Sequence, residues 1–234
     1  MNYGSIMKET AIILFSFVLF SLQAACQPVS QTTVKSNIVP QTELDPVEVP
    51  LDKDGKARAY FASGCFWCVE AVYESVRGVD ESISGYSGGH TDNPTYESSN
   101  TGRTGHAEAV EIIYDPEVVS FATLVDVYFG SQNVTQVNGQ GPDRGSQYRS
   151  IVFYQNEEQK QIIDEKIAAI NKQLGGNKVA AEVYPFRKFW LGEGYHQDYE
   201  RKHPNHPYIR NVSIPRLKRF QAKFPHLLKE DAKH

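Results

Sequence analysis

A layered domain of the α/β or α+β class is predicted by three features of the chain. Short apolar runs of strand length end in Gly or Pro. Stretches with an apolar face at helical spacing stand between them. Ser and Asn sit where those stretches would begin.

In chain order, residues 56–62 carry Ala57, Ala59, Tyr60 and Phe61 and run into Gly64, as a short buried strand would. A helix is expected from Cys65 to about Arg77, stopped by Gly78. Residues 106–114 read as a strand closed by Asp115-Pro116. Ser120 suits the N-cap of a helix whose Phe121, Leu124, Val125, Tyr128 and Phe129 fall on one face. Residues 148–154 form the next expected strand. Asn156 with Gln159 three positions on resembles a capping box. Ile163, Ile167, Ile170 and Leu174 then mark an apolar face, ended by Gly175-Gly176. Residues 178–184 are a final strand before Pro185. Beyond Pro185 the chain is aromatic, polar and turn-rich, and packing rather than regular elements is expected to order it.

The chain has 234 residues, 40% hydrophobic and 22% charged, as one soluble globular domain would. A net charge of -4 excludes the broad basic footprint of nucleic-acid binders. The one basic cluster, Arg216-Leu217-Lys218-Arg219, reads as a solvated helix face.

The N-terminus reads as an export segment. An apolar run from Ala11 to Leu22 follows Lys8 and leads to Ala24-Ala25-Cys26. It is shorter than the about 20 apolar residues of a membrane-spanning helix and fits a signal-peptide core, residues 1–25. Met7-Lys8 is the more natural start. Small residues before Cys26 point to lipidation of that cysteine, although Gln23 stands where an aliphatic residue is usual, so plain cleavage stays open. The expected location is the periplasm of a Gram-negative bacterium, as a membrane-anchored lipoprotein. Residues 26–55, with prolines at 28, 40, 46 and 50, read as a flexible tether. The domain itself is expected over residues 56–234.

Two cysteines remain in the domain, Cys65 and Cys68, at a strand-to-helix junction. A helix N-terminus offers unpaired N–H groups and partial positive charge, which favour a thiolate at the first cysteine. Residues three apart share a helix face, so the two sulfurs can meet. A redox pair, a structural disulfide and a metal site all remain open on this evidence; zinc would need further ligands, and no second Cys-x-x-Cys is present.

The segment Gly64-Cys65-Phe66-Trp67-Cys68-Val69-Glu70 closely resembles the signature of the A-type peptide methionine sulfoxide reductases. In family order follow Gly85-Tyr86-Ser87-Gly88-Gly89, Asn93-Pro94-Thr95-Tyr96 and Thr104-Gly105-His106-Ala107-Glu108-Ala109-Val110. Asp143-Arg144-Gly145-Ser146-Gln147-Tyr148-Arg149-Ser150 and Tyr195-His196-Gln197-Asp198-Tyr199 complete the set. The resemblance spans about Lys56 to Pro215. It implies an α+β fold, the α/β roll: a two-layer sandwich around a mixed sheet, with a ferredoxin-like core and a long irregular C-terminal segment.

It also implies roles. Cys65 matches the nucleophile and Glu108 the general acid, which must be held protonated by burial. By alternation alone, Glu108 would be a solvent-facing strand residue. Tyr86 and Tyr148 match the tyrosines that hydrogen-bond the sulfoxide oxygen, and Asp143 a residue that helps position the site through water. Phe66 and Trp67 would wall the S-methyl group. The reaction implied leaves a sulfenic acid on Cys65, which a second thiol closes to a disulfide. Many relatives carry Gly at position 68 and resolve with C-terminal cysteines; here no cysteine follows Cys68, so a Cys65–Cys68 disulfide is expected, reopened by thioredoxin or a periplasmic dithiol. No bound cofactor or metal is expected. The substrate is methionine S-sulfoxide, free or in oxidised proteins, and the enzyme is expected to be a monomer. A second departure lies at Gln132-Asn133-Val134-Thr135-Gln136, where relatives often have His-Asp-Pro, so no role is carried over there. The competing expectations are a thioredoxin-like thiol–disulfide oxidoreductase and an exported binding lipoprotein with a structural disulfide.

Overall fold

The computed structural model describes residues 41–232. The signal segment, Cys26 and the first part of the expected tether lie outside them. Strand β1 (Ala57–Ser63) leads into helix α1 (Phe66–Glu74), then β2 (Val79–Ser87), the short helix α2 (Tyr96–Asn100) and β3 (Ala107–Tyr114). Helix α3 (Phe121–Gly130) follows, then a two-residue hairpin of β4 (Gly139–Gln140) and β5 (Asp143–Arg144). Strand β6 (Ser150–Tyr154), helix α4 (Glu157–Leu174), β7 (Glu182–Pro185), β8 (Phe189–Leu191), α5 (Tyr199–Lys202) and α6 (Ile214–Lys223) complete the order.

The sheet runs β7-β6-β1-β3-β2-β8. Its centre, β6-β1-β3-β2, is antiparallel throughout. With α1 between β1 and β2 and α3 between β3 and β6, this is the ferredoxin-like βαββαβ arrangement. Strand β7 adds parallel to β6 and β8 antiparallel to β2, which makes the sheet mixed, as expected.

Alternation along β1 divides the interior in two. Ala59 and Phe61 face the helices, where Phe61 stacks against Tyr73 at 5.2 Å and Tyr128 at 5.4 Å. Tyr60 and Ala62 face the other way, and Tyr60 lies flat on Phe186 at 3.6 Å. Irregular chain rather than a helix layer covers that second face, so buried residues occupy both sides and the strand reads as a continuous apolar run.

The helix starts follow from their caps. Ser120 accepts from Thr123 N, and Asn156 from Gln159 N at 3.0 Å. The Gln159 side chain reaches back to Gln155 N, one residue before the position a capping box would use. Gly175 ends α4 in the left-handed region at φ +71°.

Three expectations change. Strand β2 was invisible to periodicity because it pairs on both edges and carries a bulge at Val79/Glu81. It also contains Gly85, where an added Cβ would come 2.2 Å from Trp190 O, so the strand gives up an apolar side chain to admit β8. The segment after Pro185 is not irregular throughout: β8, α5 and α6 form there, and a π-helical turn over Ile209–Ser213 feeds α6. Pro215, which has no N–H to give, follows that π-helical turn within one unbroken helical run, residues 207–223. The expected tether is laid against the domain at its end, with Val47 N on Phe186 O at 2.7 Å and Val49 N on Gln155 Oε1 at 2.8 Å. No helix among the described residues is long and apolar enough to cross a membrane.

Candidate active site

Gly64 makes the corner between β1 and α1. Its φ is +84°, and an added Cβ would lie 2.5 Å from Gln140 Cβ, so only glycine fits. Cys65 then takes the N-cap position without a capping side-chain bond, leaving its sulfur free for other contacts. It is 7% exposed and Cys68 2%. Both are free thiols.

Glu108 lies buried at the start of β3, and its Oε2 accepts from Phe66 N at 3.0 Å, one of the donors a helix start leaves over. The solvent-facing reading of its alternation therefore fails. Desolvation pushes its carboxyl up to about 8, against the lowering effect of the Phe66 bond. The group is a neutral acid at neutral pH.

The two cysteines divide differently from the sequence expectation. Burial first, then Cys68 and the Glu108 charge, hold the Cys65 thiol well above its ordinary range. A hydrogen bond from Cys65, working against burial and aided by the Arg216 charge, Ser213 and Tyr208, brings Cys68 down to about 7. At this helix start, desolvation outweighs the favourable dipole at the first cysteine. The second sulfur is the more acidic.

Tyr148 closes a 3-10 turn, Ser146–Tyr148, that Arg149 pins through Ser146 O and Gly105 O, both at 2.9 Å. Desolvation and the charges of Glu108, Tyr96, Cys65 and Asp143 all raise its phenol. Tyr96 begins α2 behind the Thr95 capping box, and its phenol is raised by burial first and then by the Glu108 and Cys65 charges, with Asn100 and, less, Tyr148 opposing. Tyr96 and Tyr148 are thus the two phenols on which the Cys65 and Glu108 charges both bear.

Tyr86 is a correction. It sits opposite Glu108 in the β2–β3 register, yet its hydroxyl donates to Glu193 Oε2 at 2.8 Å. The other Glu193 oxygen accepts from Tyr96 N, also at 2.8 Å. Tyr86 acts through Glu193 on the start of α2 and so positions Tyr96.

Asp143 accepts from the Tyr208 hydroxyl at 2.6 Å, and that hydroxyl lies 3.6 Å from Cys68 Sγ. The Asp143 hairpin is held by Gln140, whose side chain engages Asn133 N, Asn133 O and Gln132 Oε1. Amide hydrogen bonds thus shape the loop that departs from the family pattern. Phe66 is buried at 1% exposure beneath Trp67, against Tyr96 and His196. Trp67 is half-buried, stacks on Tyr199 at 3.7 Å and donates to His196 Nδ1 at 3.1 Å. Tyr208, Glu193 and Arg216 were missed from sequence. Tyr96 was missed too, although its motif was recognised.

Arg216 corrects a further expectation, since it is 7% exposed and not on a solvated face. Among the described residues one group of carboxylates could hold a metal, Glu70, Glu74 and Asp198. Two of the three are already in use: Asp198 pairs with Arg201 and Lys202, and Glu70 accepts from Ser84 Oγ and Asp198 N.

A family model described as peptide methionine sulfoxide reductase matches residues 57–228. The enzyme of Saccharolobus solfataricus, a peptide methionine sulfoxide reductase MsrA, is 46% identical over 171 residues, 73% of this chain and 96% of that one. The Pasteurella multocida MsrA is 43% identical over 172 residues, covering 74% and 98%. Reduced Mxr1 of Saccharomyces cerevisiae superposes with a TM-score of 0.62 at 30% identity, over 66% of this chain and 89% of that chain. Methionine sulfoxide reductase A of Corynebacterium diphtheriae does so with a TM-score of 0.58 at 30% identity, over 70% and 85%. The buried Cys65–Glu108 pair at the start of α1 is thus set in a chain that belongs to the A-type peptide methionine sulfoxide reductases, oxidoreductases that return methionine sulfoxide to methionine.

Proposed function

We propose that the enzyme reduces the S epimer of methionine sulfoxide through a sulfenic acid on Cys65 and a Cys65–Cys68 disulfide. The observation that carries this reading is a neutral Glu108 carboxyl bonded to the N–H of Phe66, the residue after Cys65, and close enough to act electrostatically on the Cys65 thiol. Glu108 gives its proton to the sulfoxide oxygen as Cys65 attacks sulfur, and regains a proton from the Cys65 thiol. Oxygen passes to Cys65, and methionine leaves as the thioether. Tyr96 and Tyr148 hold the oxygen while charge develops. Trp67, backed by Phe66, receives the S-methyl group.

Cys68 then closes the disulfide, and a thioredoxin-type dithiol reopens it by exchange. Cys68→Ser is expected to release one methionine per enzyme at the wild-type rate and then stop with thioredoxin as sole reductant. Repeated turnover of that variant with thioredoxin would show that another route resolves the sulfenic acid.

The tyrosine assignment has its own check. Tyr96→Phe with Tyr148→Phe should lower kcat/KM about 10²–10³-fold, the usual cost of a lost oxyanion donor. Tyr86→Phe, whose hydroxyl serves Glu193, should cost less than either single change. An inverted order returns Tyr86 to the substrate oxygen.

We also propose that the enzyme acts in the periplasm as a monomer anchored by lipid on Cys26. The support is the Ala11–Leu22 run and the small residues before Cys26. Mass spectrometry of the mature N-terminus distinguishes an acylated Cys26 from plain cleavage.

A further inference from the structure

Arg216 is a buried cation without a carboxylate partner among the described residues. Its Nε donates to Ser131 O, its Nη1 to Ser63 O and its Nη2 to Ser63 Oγ, each at 2.9 Å. Three of five N–H groups are therefore spent on neutral oxygens, and Asp143, the carboxylate whose proton affinity the charge lowers, makes no ion pair with it. A buried charge in that condition is costly, by several kcal/mol in typical proteins.

The Arg216 charge also bears on Cys68. The two residues line one 680 Å³ cavity together with Asp143, Arg219 and Lys223. The groups bearing on Cys68 come from five elements. They are Cys65 at the start of α1, Glu108 on β3, Asp143 on β5, Tyr208 and Ser213 around the π-helical turn, and Arg216 on α6. Glu108 is neutral at neutral pH, and Asp143 is engaged by the Tyr208 hydroxyl. Arg216 is the cation named among these groups.

We propose that Arg216 is the positioning residue of the resolving step, a fixed counter-ion that keeps Cys68 as the thiolate which attacks the Cys65 sulfenic acid. This rests on the reading of Cys68 as the resolving thiol. In the step, the Cys68 sulfur forms the S–S bond to Cys65 Sγ as the Cys65 S–O bond breaks. Cys68 is oxidised and the Cys65 sulfur reduced. The departing hydroxide takes a proton from Glu108 and leaves as water. The guanidinium neutralises the attacking sulfur before the step; afterwards the negative charge rests on Glu108, until solvent returns its proton. A relative that resolves with a C-terminal cysteine and carries Gly in place of Cys68 would have no such need.

The test separates the two chemical steps in the full-length protein. After one equivalent of methionine sulfoxide, samples are quenched at intervals between pH 5.5 and 9. Sulfenic acid and disulfide are counted by mass after alkylation. In the wild type, disulfide formation should rise with a midpoint near 7, following Cys68. In Arg216→Gln the midpoint should move up by at least one pH unit, and disulfide formation at pH 6.5 should slow about tenfold. Formation of the sulfenic acid should be unchanged. Arg216→Lys, which keeps the charge, should restore the profile.

An unmoved midpoint in folded Arg216→Gln, or an equal loss in both steps at every pH, overturns the proposal. Should Arg216→Gln fail to fold, thiolate absorbance at 240 nm in the wild type decides. A rise absent from Cys68→Ser with a midpoint near 7 supports the counter-ion, and one at 9 or above overturns it. A Cys68→Ser protein that still forms a disulfide-linked product would refute the resolving assignment itself, a result separate from either outcome for Arg216.

Discussion

Cys65→Ser is expected to abolish reduction of methionine sulfoxide, even in a single turnover with dithiothreitol, while leaving the fold intact. A hydroxyl at that position is a far weaker nucleophile than sulfur and has no accessible equivalent of the sulfenic acid. The loss would be chemical rather than structural. Cys65 occupies the N-cap of α1 and makes no capping bond, whereas serine at an N-cap accepts from the first-turn N–H groups. Serine there should therefore hold or raise the melting temperature; N-cap substitutions are worth about 0.5–2 kcal/mol. Methionine formation followed by mass, with thermal melts of the same samples, checks both halves. Detectable turnover by Cys65→Ser would move the nucleophile to Cys68, the more acidic of the two sulfurs.

The second large effect belongs to Glu108. Glu108→Gln keeps an oxygen for Phe66 N but has no proton to give, so kcat/KM should fall about 10²–10⁴-fold, the range for a lost general acid. The wild-type rate of the oxygen-transfer step should itself decline as pH rises through about 8, where the acid ionises. Stability falls with it. The folded protein keeps the Glu108 proton up to about 8, whereas the unfolded chain loses it near the ordinary 4.5. Between those values the folded state binds more protons, so stability falls as pH rises across that window. The penalty at pH 8 is on the order of 4 kcal/mol. Glu108→Gln escapes it. The variant should melt above the wild type at pH 8 and lose that advantage toward pH 4.5. Parallel melting curves at all pH values would mean that the native carboxyl is ionised, and the general-acid role would go with it.

The local part of this architecture was legible in the chain. Phe121, Leu124, Val125, Tyr128 and Phe129 marked α3, and Ser120 began it; Asn156 and Gly175 bounded α4. Those signals lie within a few residues of the structure they specify, so periodicity and capping chemistry reach them. Strand β2 was not legible, since its faces are set by β3 on one edge and by β8, about a hundred residues later, on the other. Of helix α6 only a face at Arg216-Leu217-Lys218-Arg219 was legible, and it was expected to be solvated; Arg216 is drawn inside by Ser131 and Ser63, which lie 85 and 153 residues away in the chain.

The site divides along the same line. The sequence alone determined that Cys65 opens a helix, that Cys68 follows on its face, and that Glu108 and Tyr148 stand in motifs of one family. Each is a matter of residue type and short spacing. The tertiary structure decided which tyrosine faces the cysteines. Tyr86 and Tyr96 are ten residues apart, and only the reach of Glu193 from beyond β8 turns one hydroxyl away and sets the other beside Tyr148. It also decided which sulfur is acidic, because burial of Cys65 and the approach of Arg216 to Cys68 are properties of packed neighbours. Proton affinity depends on desolvation and on charges brought together from distant parts of the chain, and no local pattern encodes either.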